Sequence, residues 1–266
     1  MTAPYSINYP NSTEVPILLS VPHCGTNFPP DLIPQFDAAK LQQLDDTDFF
    51  VDKLYDFAPA MGITMIASIY HRWVIDLNRD PDSKPLYTDG RVITALCPTT
   101  DFNGEHLYQN KRSFVAANEV EERKEKYFRP YHQKIEELLT DLKEKHGRVL
   151  LWDCHSIRQF VPGIHPSAFP DLILGDADEQ SASAAIIKKA QAELKNSDYS
   201  FSHNFPFKGG FITRNYGKPQ NNIHALQLEM SKVLYMDDAE INYDAARANK
   251  VRTLLQKILS SLIEIL

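Results

Sequence analysis

One stretch, Arg148–Ile157, limits the folds available to this chain more than any other. It places four large apolar residues, Val149 to Trp152, directly before the polar residues Asp153, His155 and Ser156. An apolar run of this kind is typical of a strand buried on both faces, as in a parallel sheet covered by helices. Ligands of open α/β sheets bind at the carboxyl ends of the strands. The polar residues are therefore candidates for a functional site.

A second stretch, Val15–Gly25, has the same pattern. Its apolar residues lead to His23 and Gly25 at the point where a strand would end. Because strand ends of this kind lie at one edge of a sheet, His23 and His155 are predicted to share one site.

Strand and helix patterns alternate along the chain. Predicted strands are Ile63–Ile69, Trp73–Leu77, Asp171–Gly175, a short strand that ends at Arg214 after a Lys208-Gly-Gly turn, and Ile223–Glu229. Five helices are predicted. The first begins at Ala38 with Asp37 as its cap, and the second covers Phe49–Phe57 with Asp46 or Thr47 as its cap. The third runs from Ala117 to His146 with a break at Pro130, the fourth covers Ser181–Leu194, and the fifth starts at about Asp244.

This alternation predicts an α/β fold. We expect one three-layer α/β/α domain over residues 1–266, with a mostly parallel mixed sheet. The segment Thr88–Asn110 has little periodicity and is predicted to be a loop that lines or covers the site.

Composition argues against several classes of function. The chain has 28 Lys and Arg against 35 Asp and Glu, a net charge of −7, and no basic block, so nucleic acid is not an expected partner. No stretch approaches the roughly 18 apolar residues of a membrane span, which predicts a soluble protein. The cysteines, Cys24, Cys97 and Cys154, form no CxxC pair, and this favours a reducing cytoplasm over a disulfide framework.

Residues at these strand ends have the chemistry of a catalytic metal site. Such a site uses three ligands from His, Asp or Glu and keeps one position open for water. His23 and His155 supply two ligands, and the acid is Asp48, placed one turn into a helix, or alternatively Asp45 or Asp46. This set favours zinc, but iron, cobalt and manganese also accept it. The simpler explanation is that the histidines are structural and that the acids complement a helix dipole.

Glu229 ends another apolar run and is the predicted general base and acid. A carboxylate beside a cation can take a proton from water and pass it to a leaving amine. The alternative is an ion pair with a surface lysine such as Lys232.

Cationic side chains near strand ends predict an acidic substrate. Arg72, Arg79 and Arg214, assisted by Asn78, are the candidate ligands of substrate carboxylates. A salt bridge from Arg79 to Asp76 or Asp80 is the alternative.

Eight blocks, in order, resemble the N-formylglutamate amidohydrolases (deformylases) of histidine degradation. The resemblance extends from about Pro16 to Met236. The blocks are Val-Pro-His-Cys-Gly25, Asp46-Thr-Asp48, Arg72-Trp-Val-Ile-Asp-Leu-Asn-Arg79, Leu96-Cys-Pro-Thr-Thr100, Tyr131-His132, Leu151-Trp-Asp-Cys-His-Ser-Ile157, Lys208-Gly-Gly-Phe-Ile-Thr-Arg214 and His224-Ala-Leu-Gln-Leu-Glu229.

The resemblance implies a metal-dependent hydrolase that cleaves N-formyl-L-glutamate to formate and L-glutamate. It also implies a fold similar to that of the zinc carboxypeptidases, with two histidines and one acid on the metal, Glu229 as base, and Asn78 with Arg79 on a substrate carboxylate. The carboxypeptidase HxxE pairing is absent, because Thr26 stands where its acid would be. The acidic ligand is therefore inferred and not carried over.

Three other functions are compatible with the same residues. A metal-dependent deacylase of another N-acyl amino acid would use the same catalytic groups. A cysteine hydrolase would use Cys24 or Cys154 with a neighbouring histidine. A non-catalytic protein that binds acidic amino acids would need only the arginines.

Overall fold

The computed structural model describes residues 3–84 and 95–266. Seven strands in this part of the chain form one sheet, in the order β1-β3-β2-β4-β7-β5-β6. The strands are β1 (Tyr5–Asn8), β2 (Ile17–Val21), β3 (Thr64–Ser68), β4 (Val149–Ile157), β5 (Leu172–Gly175), β6 (Phe201–His203) and β7 (Ile223–Ser231). The central strands β3, β2, β4 and β7 are parallel, whereas β1 runs antiparallel to β3, and β5 runs antiparallel to β7. The predicted mostly parallel mixed sheet is confirmed.

Helices cover both faces of this sheet. They are α1 (Ala38–Gln43), α2 (Val51–Leu54), α3 (Ala117–Arg123), α4 (Arg129–His146), α5 (Ala184–Lys195), α6 (Phe211–Tyr216) and α7 (Ala245–Ile263). On one face, Leu150, Trp152 and Cys154 of β4 pack in a core with α2, α5 and α7. On the other face, Val149 and Leu151 pack with α4 and α6. The three-layer α/β/α architecture is therefore confirmed, while a single domain over the whole chain stays a prediction.

Alternation along β4 decides which side chains reach the site. Cys154 is completely buried in the core formed with α2, α5 and α7. Because successive side chains of a strand point to opposite faces, Asp153 and His155 lie on the α4 and α6 side. Strand β3, the next strand along the chain, lies on one side of β2 in the sheet, whereas β4 and β7 lie on the other side of β2. The strand order thus reverses at β2 and β4, which is where α/β sheets form a ligand crevice.

Several local predictions are confirmed. Asp37 caps α1 by accepting from the Ala39 and Lys40 backbone N–H groups. Asp244 caps α7 in the same way. The long predicted helix is divided, because a π-helical turn, Lys124–Phe128, separates α3 from α4 just before Pro130.

Other local predictions are wrong. Trp73–Leu77 is an irregular segment and not a strand, because its backbone bonds go to loops: Asp76 N donates to Leu96 O. The segment that ends at Arg214 is helical, since α6 covers Phe211–Tyr216. The helix after the aspartates begins only at Val51, and its N-cap residue is Phe50, so neither predicted cap forms and Asp48 precedes the helix.

Strand β7 is buried along nearly its whole length, because helices cover both of its faces. Part of the predicted loop at 88–110 lies outside the described residues. Its described part is irregular apart from two isolated bridges. Among the described helices, none is long and apolar enough to cross a membrane.

His132 of α4 connects this helix to α6 and to the irregular segment Trp73–Leu77. Its Nε2 lies 2.9 Å from Leu77 O, and its Nδ1 lies 2.9 Å from the Tyr216 hydroxyl of α6. Burial lowers the pKa of His132 to about 4 from 6.5. Between about pH 4 and pH 6.5, the folded protein therefore keeps this imidazole neutral, whereas the unfolded chain protonates it.

This difference predicts a loss of stability in weak acid. The contribution of His132 is fully present above about pH 6.5 and is lost as the pH falls towards 4, since only the unfolded state takes up the proton. Between pH 7 and pH 5 we expect a loss of about 2 kcal/mol. Urea unfolding at the two pH values should show this loss in the free energy of unfolding, and His132→Gln should make the loss smaller. An equal reduction in His146→Gln, whose imidazole lies at the surface, would contradict the assignment.

Candidate active site

The candidate site lies at the carboxyl edge of the three central strands β2, β4 and β7. His23 follows β2 by two residues, and His155 lies near the end of β4. Glu229 of β7 is in register with His155. Asp48 comes from the turn before α2, and its backbone N–H donates to His23 O at 3.0 Å. Four chain segments thus converge at one place, as the strand-end pattern predicted for the two histidines.

Three of these side chains form a compact, buried group. Asp48 Oδ2 lies 3.1 Å from His155 Nδ1 and 3.8 Å from His23 Nδ1. One possible ligand atom from each residue lies within 4.8 Å of the others. The three residues are only 2–3% exposed. A divalent cation is a natural partner for two imidazoles and a carboxylate in this arrangement.

The other two aspartates of the segment have different partners. Asp45 forms an ion pair with Arg158, 2.6 Å from Oδ1 to Nη2. Asp46 accepts from Trp73 Nε1 at 2.8 Å and from the Phe102 backbone N–H at 3.2 Å. Of the three candidate acids, the structure brings Asp48 to the histidines.

A second carboxylate holds the opposite nitrogen of each histidine. His23 Nε2 lies 2.7 Å from Asp76 Oδ1, and His155 Nε2 lies 3.0 Å from Asp153 Oδ2. Metal-binding histidines usually donate their second ring N–H to such an acceptor, which fixes the tautomer. His23 Nδ1 is buried and has no hydrogen-bond partner. These donors and this orphaned nitrogen fit a bound metal.

The charges of the site support the same interpretation. Burial alone would lower the pKa of His155, but the carboxylates of Asp153 and Asp48 raise it well above its ordinary value. Burial, with Arg72 nearby, lowers the pKa of His23. His155 therefore carries a proton between two carboxylates when no metal is bound, and a metal would take over that positive charge.

Glu229 has a different electrostatic environment. It is 9% exposed, and burial raises the pKa of its carboxyl group to about 8, partly opposed by His155. A carboxyl group with a pKa near neutrality can both accept and donate a proton at physiological pH.

Comparison with known proteins identifies the family of this chain. The model of the N-formylglutamate amidohydrolase family matches residues 15–236. The chain belongs to this family. It is 40% identical over 255 residues to the N-formylglutamate deformylase of Pseudomonas aeruginosa, and the aligned region covers 94% of this chain and 93% of the relative. A protein of the same name from Pseudomonas putida is 37% identical over 253 residues, with coverage of 94% and 93%.

Solved structures show the same fold. The crystal structure of N-formylglutamate amidohydrolase from Ralstonia eutropha JMP134 superposes with a TM-score of 0.79 at 26% identity, over 99% of this chain and 97% of that one. A gene product of Agrobacterium tumefaciens, at 17% identity, superposes with a TM-score of 0.73 over 98% and 96% of the two chains. The latter supports the fold alone.

In this amidohydrolase, the candidate substrate ligands differ in exposure. Arg72 is 6% exposed and donates to Asp76 Oδ2 at 2.6 Å. Arg79 is partly exposed, and its Nη1 lies 3.6 Å from the same oxygen, so the Asp76 pairing considered from sequence does form. Arg214 is exposed, and its Nε donates to Gly209 O at 2.9 Å. Their contacts with substrate stay predictions.

Asn78 is buried, with 4% of its surface exposed. Its Oδ1 accepts from the Ile212 backbone N–H at 2.8 Å, and its Nδ2 lies 3.0 Å from His155 Nε2. Both ends of its amide therefore contact the protein. Its role as a substrate ligand stays a prediction.

Sequence reasoning wrongly placed Lys232 at the surface. Lys232 is not at the surface, since it is 2% exposed and its Nζ donates to Asp45 O at 3.1 Å. The ion pair with Glu229 considered as an alternative does not form. Lys232 lines a cavity of about 100 Å³ with Ser156 and with Phe102 and Asn103 of the described part of the predicted loop. No sequence pattern signals this burial, because the residue follows the strand end.

Asp76 is a further residue of the candidate site, and sequence reasoning assigned it a different partner. It was considered only as a partner of Arg79, yet it also holds His23. The two are 53 positions apart in the sequence, so only the fold brings them together.

Proposed function

We propose that this enzyme hydrolyses N-formyl-L-glutamate to formate and L-glutamate, as a step of histidine degradation. Family membership and two relatives named N-formylglutamate deformylase support this substrate. The observation that carries the proposal is the convergence of His23, Asp48 and His155 beside Glu229. This arrangement suits hydrolysis of an amide by activated water.

His23, Asp48 and His155 would hold the metal, and zinc is the ion that this donor set favours. A bound zinc ion would act as a Lewis acid, lowering the pKa of a water molecule and polarising the formyl carbonyl group. The protein's own contribution is to fix both imidazoles. Asp76 and Asp153 hold their Nε2 atoms, which leaves each Nδ1 facing Asp48.

Glu229 would transfer the proton. Its carboxylate takes a proton from the attacking water, whose oxygen bonds to the formyl carbon. The same carboxyl group then gives that proton to the glutamate nitrogen as the C–N bond breaks. Burial of Glu229 favours this exchange, because it brings the pKa of the carboxyl group to about 8 and so makes the protonated form accessible.

Arg79 and Arg214 would bind the two carboxylates of the substrate. Both are more exposed than Arg72, whose guanidinium is buried against Asp76. Arginine binds carboxylates through paired N–H groups, which would favour an acidic amino acid. Arg72 would then act indirectly, by holding the Asp76 carboxylate that orients His23.

The cysteine hydrolase is disfavoured by the environment of its nucleophiles. Burial raises the pKa of the Cys154 thiol well above its usual value, and burial also raises that of Cys24. Reactive cysteines instead have lowered pKa values in electropositive surroundings. Neither thiol is therefore activated for attack.

Release of free L-glutamate from three N-acyl glutamates, with metal analysis of the same protein, tests the proposal. We expect about one zinc per chain, rapid cleavage of N-formylglutamate, and cleavage of the N-acetyl and N-succinyl analogues that is slower by about 10-fold or more, the order that one misfitting group costs in a pocket. Removal of the metal by a chelator should abolish activity, and added zinc should restore it. Activity that survives chelation but not alkylation would favour the cysteine mechanism.

A further inference from the structure

Two buried amide side chains connect helix α6 to the catalytic groups. We propose that the first turn of α6 positions His155 and Glu229, through Asn78 and Gln227 respectively. Gln227 has so far been given no part in the reaction, and α6 has been given one only through Arg214. The role assigned to Gln227 rests on the proposed function, because it requires Glu229 to be the base.

Gln227 links α6 to the base. Its Oε1 accepts from the Gly210 backbone N–H at 2.8 Å, and its Nε2 lies 3.4 Å from Glu229 Oε2. Gln227 and Glu229 are two residues apart on β7, so their side chains lie on the same face of the sheet. Gln227 is 5% exposed, so water does not compete freely for these bonds. It can therefore hold the Glu229 carboxylate in one orientation.

Asn78 links the same helix turn to the metal ligand. Its Oδ1 accepts from the Ile212 backbone N–H, and its Nδ2 lies 3.3 Å from Asp153 Oδ2. His155 Nε2 lies 3.0 Å from Asp153 Oδ2, and a carboxylate oxygen only accepts, so this nitrogen donates its N–H to Asp153. Asn78 must then donate to the same Asp153 oxygen and not to the imidazole. It acts on His155 through Asp153.

The orientation of both amides is determined by their partners. A backbone N–H can only donate, so it must meet the amide oxygen, and the amide nitrogen must face the other way. In both residues that direction leads to a catalytic group. The position of α6 is fixed closely, because a Cβ atom on Gly210 would lie 2.4 Å from Asn78 Nδ2. Only glycine lets the helix approach Asn78 this closely.

The first test replaces Asn78 by leucine, which has a similar shape and no polar atoms. We expect zinc affinity, measured by competition with a chelator, to fall about 10-fold, the lower end of the loss for direct partners of metal-binding histidines, because Asn78 acts through Asp153. The KM for N-formylglutamate at saturating zinc should stay within about threefold of the wild-type value. Unchanged zinc affinity with a KM raised tenfold or more would show that Asn78 binds substrate, and would overturn the proposal. Asn78→Ala gives the same test if the leucine variant does not fold.

The second test replaces Gln227 by methionine. We expect kcat to fall about 10–100-fold, the order that a misplaced catalytic group costs. The KM and the zinc affinity should not change. A kcat within threefold of the wild-type value, or a loss confined to KM, would contradict a positioning role.

Each variant is the control for the other. Both remove one bond to the first turn of α6, so general disruption of this helix would lower zinc affinity and kcat in both variants alike, and that result would overturn the proposal. Gln191→Met, which alters an amide on α5 that contacts His203, should match the wild type in both measurements. If the wild-type protein does not hydrolyse N-formylglutamate, the proposed function fails, but the zinc affinity of Asn78→Leu still tests the role of Asn78.

Discussion

Glu229→Gln is expected to lower kcat by about 10²–10⁴-fold while zinc affinity and KM stay close to the wild-type values. The amide has nearly the shape of the carboxylate but cannot accept a proton from water. Glu229 is not one of the three residues grouped as possible metal ligands, so the metal should still bind. Formate release over a range of substrate concentrations gives kcat and KM, and competition with a chelator gives the zinc affinity.

Glu240→Gln is a matched control for this substitution. Glu240 is also 9% exposed, but its carboxylate pairs with Arg158 and accepts from the Gln159 backbone N–H. Its replacement should leave kcat within a fewfold of the wild-type value. A Glu229→Gln variant that turns over as fast as the Glu240→Gln variant would remove Glu229 from the mechanism.

The substitution His155→Ala is expected to abolish zinc binding at stoichiometric concentrations, and with it activity. Loss of an outer partner of a metal-bound histidine already costs about 10–100-fold in affinity, and loss of the ligand itself should cost more. The variant would also leave Asp48 and Asp153 buried without their shared cation, so we expect a lower melting temperature. Zinc content after dialysis and thermal unfolding measure these effects.

The neighbouring residue provides the control for this loss. Cys154→Ala changes a completely buried side chain on the opposite face of the same strand. We expect a modest loss of stability, with zinc content and kcat preserved. Full zinc loading of His155→Ala, or loss of zinc in Cys154→Ala, would contradict the assignment of ligands.

The histidines were predictable because their information is local. An apolar run followed by a polar residue indicates both a buried strand and its end, and both β2 and β4 follow this rule. The acidic ligand could be predicted only to lie among Asp45, Asp46 and Asp48, because the turn before α2 determines which aspartate reaches the histidines. That turn depends on Phe50 with a positive φ of 62° and on a backbone bond from Asp48 to His23.

Helix α6 shows why the rest of the site was not predictable. The residues before Arg214 are compatible with a short strand by composition, and six residues are too few for periodicity to distinguish the two. What favours the helix is non-local, since Asn78 and Gln227 accept from its first backbone N–H groups. The Trp73–Leu77 segment differs for a similar reason, because its hydrogen-bond partners come from loops distant in sequence.

The position of the short strands in the sheet affects how the protein resists association and local opening. Its two outermost strands, β1 and β6, have four and three residues, so neither offers a long open edge for pairing with another chain. The strands that carry His23, His155 and Glu229 all lie inside these edges. Fraying begins where burial is least, and here that is away from the site. The candidate catalytic groups are thus attached to the part of the sheet that should exchange its amide hydrogens last.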